Sequence, residues 1–235
     1  MKTAGRVAAR LIVISSLSAA SFAYAQDRQT RQLAGFDGIS VGGGIDLVVR
    51  QGEGFLVEVQ APDGEADKIV TEVRAGKLEI RRERSTFSFF DWGDHGSVTV
   101  RLPTLVSLTA SGGSDVTAEG TITGNRLDLV ASGGSDVAIA VAVTDLNVEA
   151  SGGSDLRLSG TAGSARVQSS GGSDLNASGL TATKADLNSS GGSDLSIAVS
   201  DSLVANASGG SDIFYSGNPS STTVNSSGGS DITRR

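Results

Sequence analysis

The sequence predicts an all-β protein whose second half is a parallel β-helix. The pentapeptide Ser-Gly-Gly-Ser-Asp occurs seven times, its aspartates at Asp115, Asp136, Asp155, Asp174, Asp194, Asp212 and Asp231, spaced 21, 19, 19, 20, 18 and 19 residues apart. An apolar residue follows every aspartate (Val116, Val137, Leu156, Leu175, Leu195, Ile213, Ile232), and another lies seven positions before it (Leu108, Leu129, Val148, Val167, Leu187, Ala205, Val224), with mostly polar residues interleaved. That period of two marks strands. The Gly-Gly pair, lacking Cβ atoms, permits a tight or left-handed bend between them. About seven coils of 19–20 residues follow, stacked about 4.8 Å apart so that each satisfies its neighbours' backbone hydrogen bonds. A flexible Gly/Ser linker of similar composition has no reason to keep Leu and Val in phase with the motif through seven copies.

At the N-terminus, Lys2, Arg6 and Arg10 precede an apolar run from Leu11 to Phe22, and Ala23-Tyr24-Ala25 forms a small-x-small cleavage site. Residues 1–25 therefore read as a secretory signal peptide, the mature chain starting at Gln26. The run is shorter than the roughly 20 apolar residues a membrane span needs, so no transmembrane span is expected in the mature chain. Cleavage removes three basic and no acidic residues, taking the formal charge from −7 to about −10, which argues against a nucleic-acid partner. The absence of cysteine excludes disulfides, a thiol nucleophile, a Cys-based zinc site and a lipoprotein anchor.

Residues 26–34 are polar and read as a flexible arm. Residues 35–110 form a less regular β region. Ile39, Val41, Ile45, Leu47 and Val49 alternate in phase, interrupted by Gly42, Gly43 and Gly44. With no Gly-Lys-Ser/Thr after them and no helix opening, those glycines mark a bend or bulge and not a phosphate loop. Further strands fall at 55–59, 69–73, 78–80 and 98–102, with one helical turn within 63–68. Their short alternating form suggests that the helix continues into this region. Residues 111–235 complete the same domain as the repeat helix, closed by Arg234 and Arg235, whose charges discourage end-to-end stacking.

Phe36-Asp37-Gly38-Ile39-Ser40-Val41, Gly44-Ile45-Asp46-Leu47-Val48-Val49, Thr71-Glu72-Val73 with Gly76-Lys77-Leu78-Glu79-Ile80, and Val98-Thr99-Val100-Arg101-Leu102-Pro103 lead into the repeats. This combination resembles the bacterial family called putative auto-transporter adhesin, head GIN domain (DUF2807), from about residue 35 to the end. The resemblance implies a right-handed β-helix-like fold in an exported bacterial protein. Two departures stand out: Asp46 replaces the Asn of the family's name motif, and no outer-membrane barrel follows the repeats.

Two candidate sites emerge. Coils in register would stack the seven aspartates (Asp115, Asp136, Asp155, Asp174, Asp194, Asp212 and Asp231) into a ladder of like charges. Either a cation offsets the repulsion, calcium being the ion that suits such oxygen ligands, or each aspartate caps its own turn by accepting backbone N–H bonds. The second candidate is the segment 85–96, holding Phe87, Phe89, Phe90 and Trp92, four of the mature chain's eight aromatic residues. It presents rigid apolar surface to a glycan or protein partner, or covers an open edge of the helix. The only histidine, His95, reads as a solvated loop residue. Seven equivalent acids describe architecture and not the unlike acid and base that catalysis uses.

These readings converge on an exported, non-catalytic binding or structural module of a Gram-negative envelope, in the periplasm or at the cell surface. Its partner would be a glycan or an envelope or surface protein, with no cofactor unless the ladder holds calcium. A calcium-stabilised scaffold and a polysaccharide-cleaving β-helix are the alternatives.

Overall fold

The computed structural model describes residues 26–62, 64–83 and 96–235. The repeats form a parallel β-solenoid. Strands β9 (Asp115–Ser132), β10 (Asp136–Ala150), β11 (Asp155–Ser169), β12 (Asp174–Gly191) and β13 (Asp194–Gly209) each make most of one coil. The next coil is divided between β14 (Asp212–Ser216) and β15 (Ser221–Gly228), and β16 (Asp231–Arg234) stacks on β14. All are parallel, and each motif aspartate pairs in register with the next, from Asp115 through to Asp231.

The unequal coil lengths are absorbed in the half of the coil that follows the aspartate. Register shifts between Ala138 and Ala140, between Arg157 and Ser159, and between Ala177 and Lys184 take up the extra or missing residues. Side chains before the motif thereby stay aligned through every coil. Leu129, Val148, Val167, Leu187 and Ala205 form one buried column and Val137, Leu156, Leu175, Leu195 and Ile213 another. Each fully buried aliphatic side chain contributes about 1.5–3 kcal/mol.

The solenoid continues into the N-terminal region. Strand β2 (Gly38–Gly42) lies parallel between β8 (Ser107–Ser111) and β6 (Lys77–Arg82), while β3 (Asp46–Gln51) lies parallel between β9 and β7 (Ser97–Leu102). Thus β2–β3 and β6–β7 are two further rungs, and the rung earliest in sequence sits between two later ones. Beyond them the direction reverses: β5 (Ile69–Arg74) pairs antiparallel with β6 and β4 (Leu56–Pro62) with β7, joined by a 3-10 turn at Ala66–Lys68.

The polar stretch expected to begin a mobile arm is instead strand β1 (Gln26–Arg31), antiparallel to β4. Its edge position explains the lack of an apolar face. It also carries Asp27, Arg28 and Arg31, the charges that guard an open edge. One continuous core runs from Phe36 to Ile213.

Candidate functional site

The corner of each coil is held by a serine. Ser114, Ser135, Ser154, Ser173, Ser193 and Ser211, each immediately before the motif aspartate, are fully buried. Ser154 Oγ lies 3.1 Å from Ala131 O and 2.8 Å from Ser151 O as a donor, and accepts from Ser151 N at 3.3 Å. Ser135 makes the equivalent bonds to Ala110, Ser132 O and Ser132 N. In the coils of Ser173 and Ser193 the hydroxyl meets Ser169 Oγ or Ser189 Oγ across the corner, at 3.0 and 2.9 Å. The turn cap anticipated from the aspartates is therefore the neighbouring serine. The motif aspartates point outward, exposed or half-buried, and among the described residues only Asp212 accepts a backbone bond, from Asp231 N at 3.0 Å.

The acidic ladder has one more rung than the repeats. Leu47 pairs with Val116, which puts Asp46 in register with Asp115, and Asp46 pairs with Ser97 on its other side. The departure from the name motif thus extends the carboxylate column by one. Among the described residues, no three His, Asp or Glu side chains converge to hold a metal ion. Phe87, Phe89, Phe90, Trp92 and His95 lie outside the described residues. That segment lies in the chain between β6 and β7, where other rungs carry a glycine turn.

One side of the solenoid, away from these corners, carries an open groove of about 840 Å³. It is built from outward-facing residues before the motif, aligned coil on coil: Arg126, Asp145, Ser164 and Lys184 in one column and Asp128, Asn147, Arg166 and Asp186 in the next. Arg126 Nε donates to both carboxylate oxygens of Asp128 at 3.0 Å, and Asn147 Nδ2 donates to Asp128 Oδ1 at 2.7 Å. Partial burial pushes the Asp128 carboxyl up, but these two partners outweigh it and hold it below the usual carboxylate range. The Asp128 hydrogen bond raises Arg126 in turn. Ser164 donates to Asp145 at 2.6 Å, and Arg166 lies 3.5 Å from Asp186. Glu149 and Lys184 also line the groove and have no protein partner among the described residues. This site was not anticipated, although residues eight and ten positions before each motif aspartate are polar or charged in most coils.

The family model described as "Putative auto-transporter adhesin, head GIN domain" matches residues 35–219. The chain belongs to this family. The chain also resembles solved structures. One from Bacteroides fragilis NCTC 9343, described as a "putative adhesin", is 24% identical with a TM-score of 0.81, covering 90% of this chain and 97% of that one. A "putative lipid binding protein" from Parabacteroides distasonis ATCC 8503 is 20% identical with a TM-score of 0.66, the coverages being 88% and 96%. A "putative adhesin" from Parabacteroides merdae ATCC 43184 is 18% identical with a TM-score of 0.67, again covering 88% and 96%. These likenesses show the fold. No curated protein matches this chain. Among its described residues, no helix is long and apolar enough to cross a membrane.

Proposed function

We propose that the mature chain is a non-catalytic binding module of the bacterial envelope, exported by residues 1–25, that engages its partner along the charged groove. The observation that carries this reading is a broad groove whose lining residues are fixed in register by the parallel coils, with two charges, Glu149 and Lys184, that have no protein partner among the described residues. A rigid scaffold presents such groups with little ordering cost on binding. The motif aspartates share one repeated environment, whereas acid–base chemistry uses unlike groups in unlike environments. Family membership supports the same non-catalytic reading. The partner is an envelope glycan or surface protein, reached from the periplasm or the outer face, and Phe87, Phe89, Phe90 and Trp92 supply a second contact.

The test is binding of residues 26–235 to isolated envelopes of the producing cell, for the native chain and for Lys184→Glu with Glu149→Lys. Both positions are exposed, so thermal melts of the two chains should coincide. A dissociation constant weakened about tenfold in the double variant supports the groove. Equal binding by both chains removes it as the contact surface.

A further inference from the structure

Beside the charged groove, and sharing only Gln168 with it, the later coils carry a second groove of about 410 Å³ along Gln168, Asn188, Asn206 and Asn225. Its lining consists of amides, serines and Ala207, with no charged residue. In a chain with 26 acidic and 19 basic residues, a neutral strip spanning four coils is a distinct surface.

The amides form a ladder. Asn225 Nδ2 donates to Asn206 Oδ1 at 3.0 Å, Asn206 Nδ2 to Asn188 Oδ1 at 3.0 Å, and Asn188 Nδ2 to Asp186 Oδ1 at 3.2 Å. A primary amide has two N–H donors and two acceptor lone pairs. After the ladder bonds, Asn188 and Asn206 each keep one donor and one acceptor. The side chains of Gln168, Ser190 and Ser208 make no hydrogen bond to described protein groups. The groove is therefore an array of spare donors and acceptors that recurs every coil, at about 4.8 Å.

We propose that this groove binds a neutral, linear glycan laid along the solenoid axis. A sugar hydroxyl is both donor and acceptor and matches either vacancy of the amides and serines. A charged ligand would lose hydration against walls that hold no countercharge. Amide ladders also stabilise stacked strands, but stack stabilisation accounts for neither the unbonded serine hydroxyls nor the concave neutral strip. The proposal deepens the binding-module reading and rests on it, while assigning the ligand to a separate surface.

The experiment is calorimetric titration of residues 26–235 with cello-, malto- and manno-oligosaccharides of increasing length, with oligogalacturonate as the anionic comparator. The variants are Asn206→Asp, Ser208→Lys and, in the other groove, Lys184→Glu, each checked by thermal melting. Ser208 is exposed and its side chain makes no hydrogen bond to the described residues, so its replacement leaves the fold intact. The expected result is a neutral series that tightens with length and is weakened about tenfold by Asn206→Asp and by Ser208→Lys, but not by Lys184→Glu. No neutral binding while envelope binding persists overturns the glycan site alone. Preference for oligogalacturonate, or indifference to both groove variants, overturns it equally. Neutral binding without any envelope binding leaves this site standing and removes the charged-groove reading.

Discussion

The backbone N–H of Ile45 donates to the buried hydroxyl of Ser114, 69 positions later, at 3.2 Å. That bond joins the first rung of the N-terminal region to the first repeat through the same corner serine that closes the later coils. Ile45 is fully buried, and this is the bond its amide makes.

Ser114→Ala leaves that N–H unsatisfied in the core and should cost about 1–3 kcal/mol. For a domain of this size the melting temperature should fall by about 2–4 °C per kcal/mol. Asp115→Ala, one residue along, removes an exposed side chain with no hydrogen bond to the described residues and should leave the melt within about 0.5 kcal/mol of the native chain. Equal effects from the two substitutions would return the turn-capping role to the aspartate.

A second pair of substitutions separates backbone strain from coil spacing. Gly134 and Gly191 both have positive φ, +73° and +84°. A Cβ at Gly134 would meet nothing within 4 Å, whereas at Gly191 it would stand 2.7 Å from Gly171 O in the preceding coil. Gly134→Ala should cost only the left-handed penalty, about 1–2 kcal/mol. Gly191→Ala must also push two coils apart, so its urea midpoint should fall clearly further. Equal midpoints would mean that the coils separate there without loss.

The regular half of this fold was legible because a two-residue period and a fixed glycine corner leave few alternatives. The strands read at 69–73, 78–80 and 98–102 correspond to Ile69–Arg74, Lys77–Arg82 and Ser97–Leu102, and their alternation makes them legible for the same reason. The inward corner serine is implicit in the pattern: Ser114 is two residues before Val116 and so faces inward with it. Asp46 could not be placed in the ladder, because its register depends on pairing across 69 residues. Strand β1 is not visible in the sequence because Gln-Asp-Arg-Gln-Thr-Arg shows no apolar face and is ordered by pairing with β4 and by bonds from Gln29 and Arg31 to the 3-10 turn. The grooves needed the stacked columns: Arg126 and Lys184 share a column only once the register shifts have been resolved.

Among the described residues, acid removes stabilisation from three exposed or half-buried ion pairs. A hydrogen bond from Arg81 lowers Glu72, one from Arg50 lowers Glu119, and Asp128 is lowered as described. A carboxyl whose folded pKa lies below its unfolded value stabilises the native state above the unfolded value, near 4. That stability is lost as pH falls through the folded value. The contribution of these three carboxyls should be constant from neutral pH to about 5 and decline below it, and comparison with Glu119→Gln isolates it from the opposite effect of protonating the aspartate ladder. Glu119→Gln should flatten the decline, with the gap from the native chain closing at the acid end and shrinking in salt. A gap that widens on acidification would contradict the sign of the shift at Glu119.

The aspartate ladder is a cost that the fold tolerates in solvent. Neighbouring motif aspartates stand in register, so their carboxylates lie on stacked coils about 4.8 Å apart, with like charges facing water. Asp155→Asn with Asp174→Asn should raise the melting temperature at low ionic strength, and the gain should fade in high salt as screening replaces it. Calcium and magnesium at matched ionic strength should shift the native chain equally, since each coil contributes one aspartate to the column and no three acids converge among the described residues. A rise specific to calcium, abolished by the same two substitutions, would instead make the column an ion site coupled to folding.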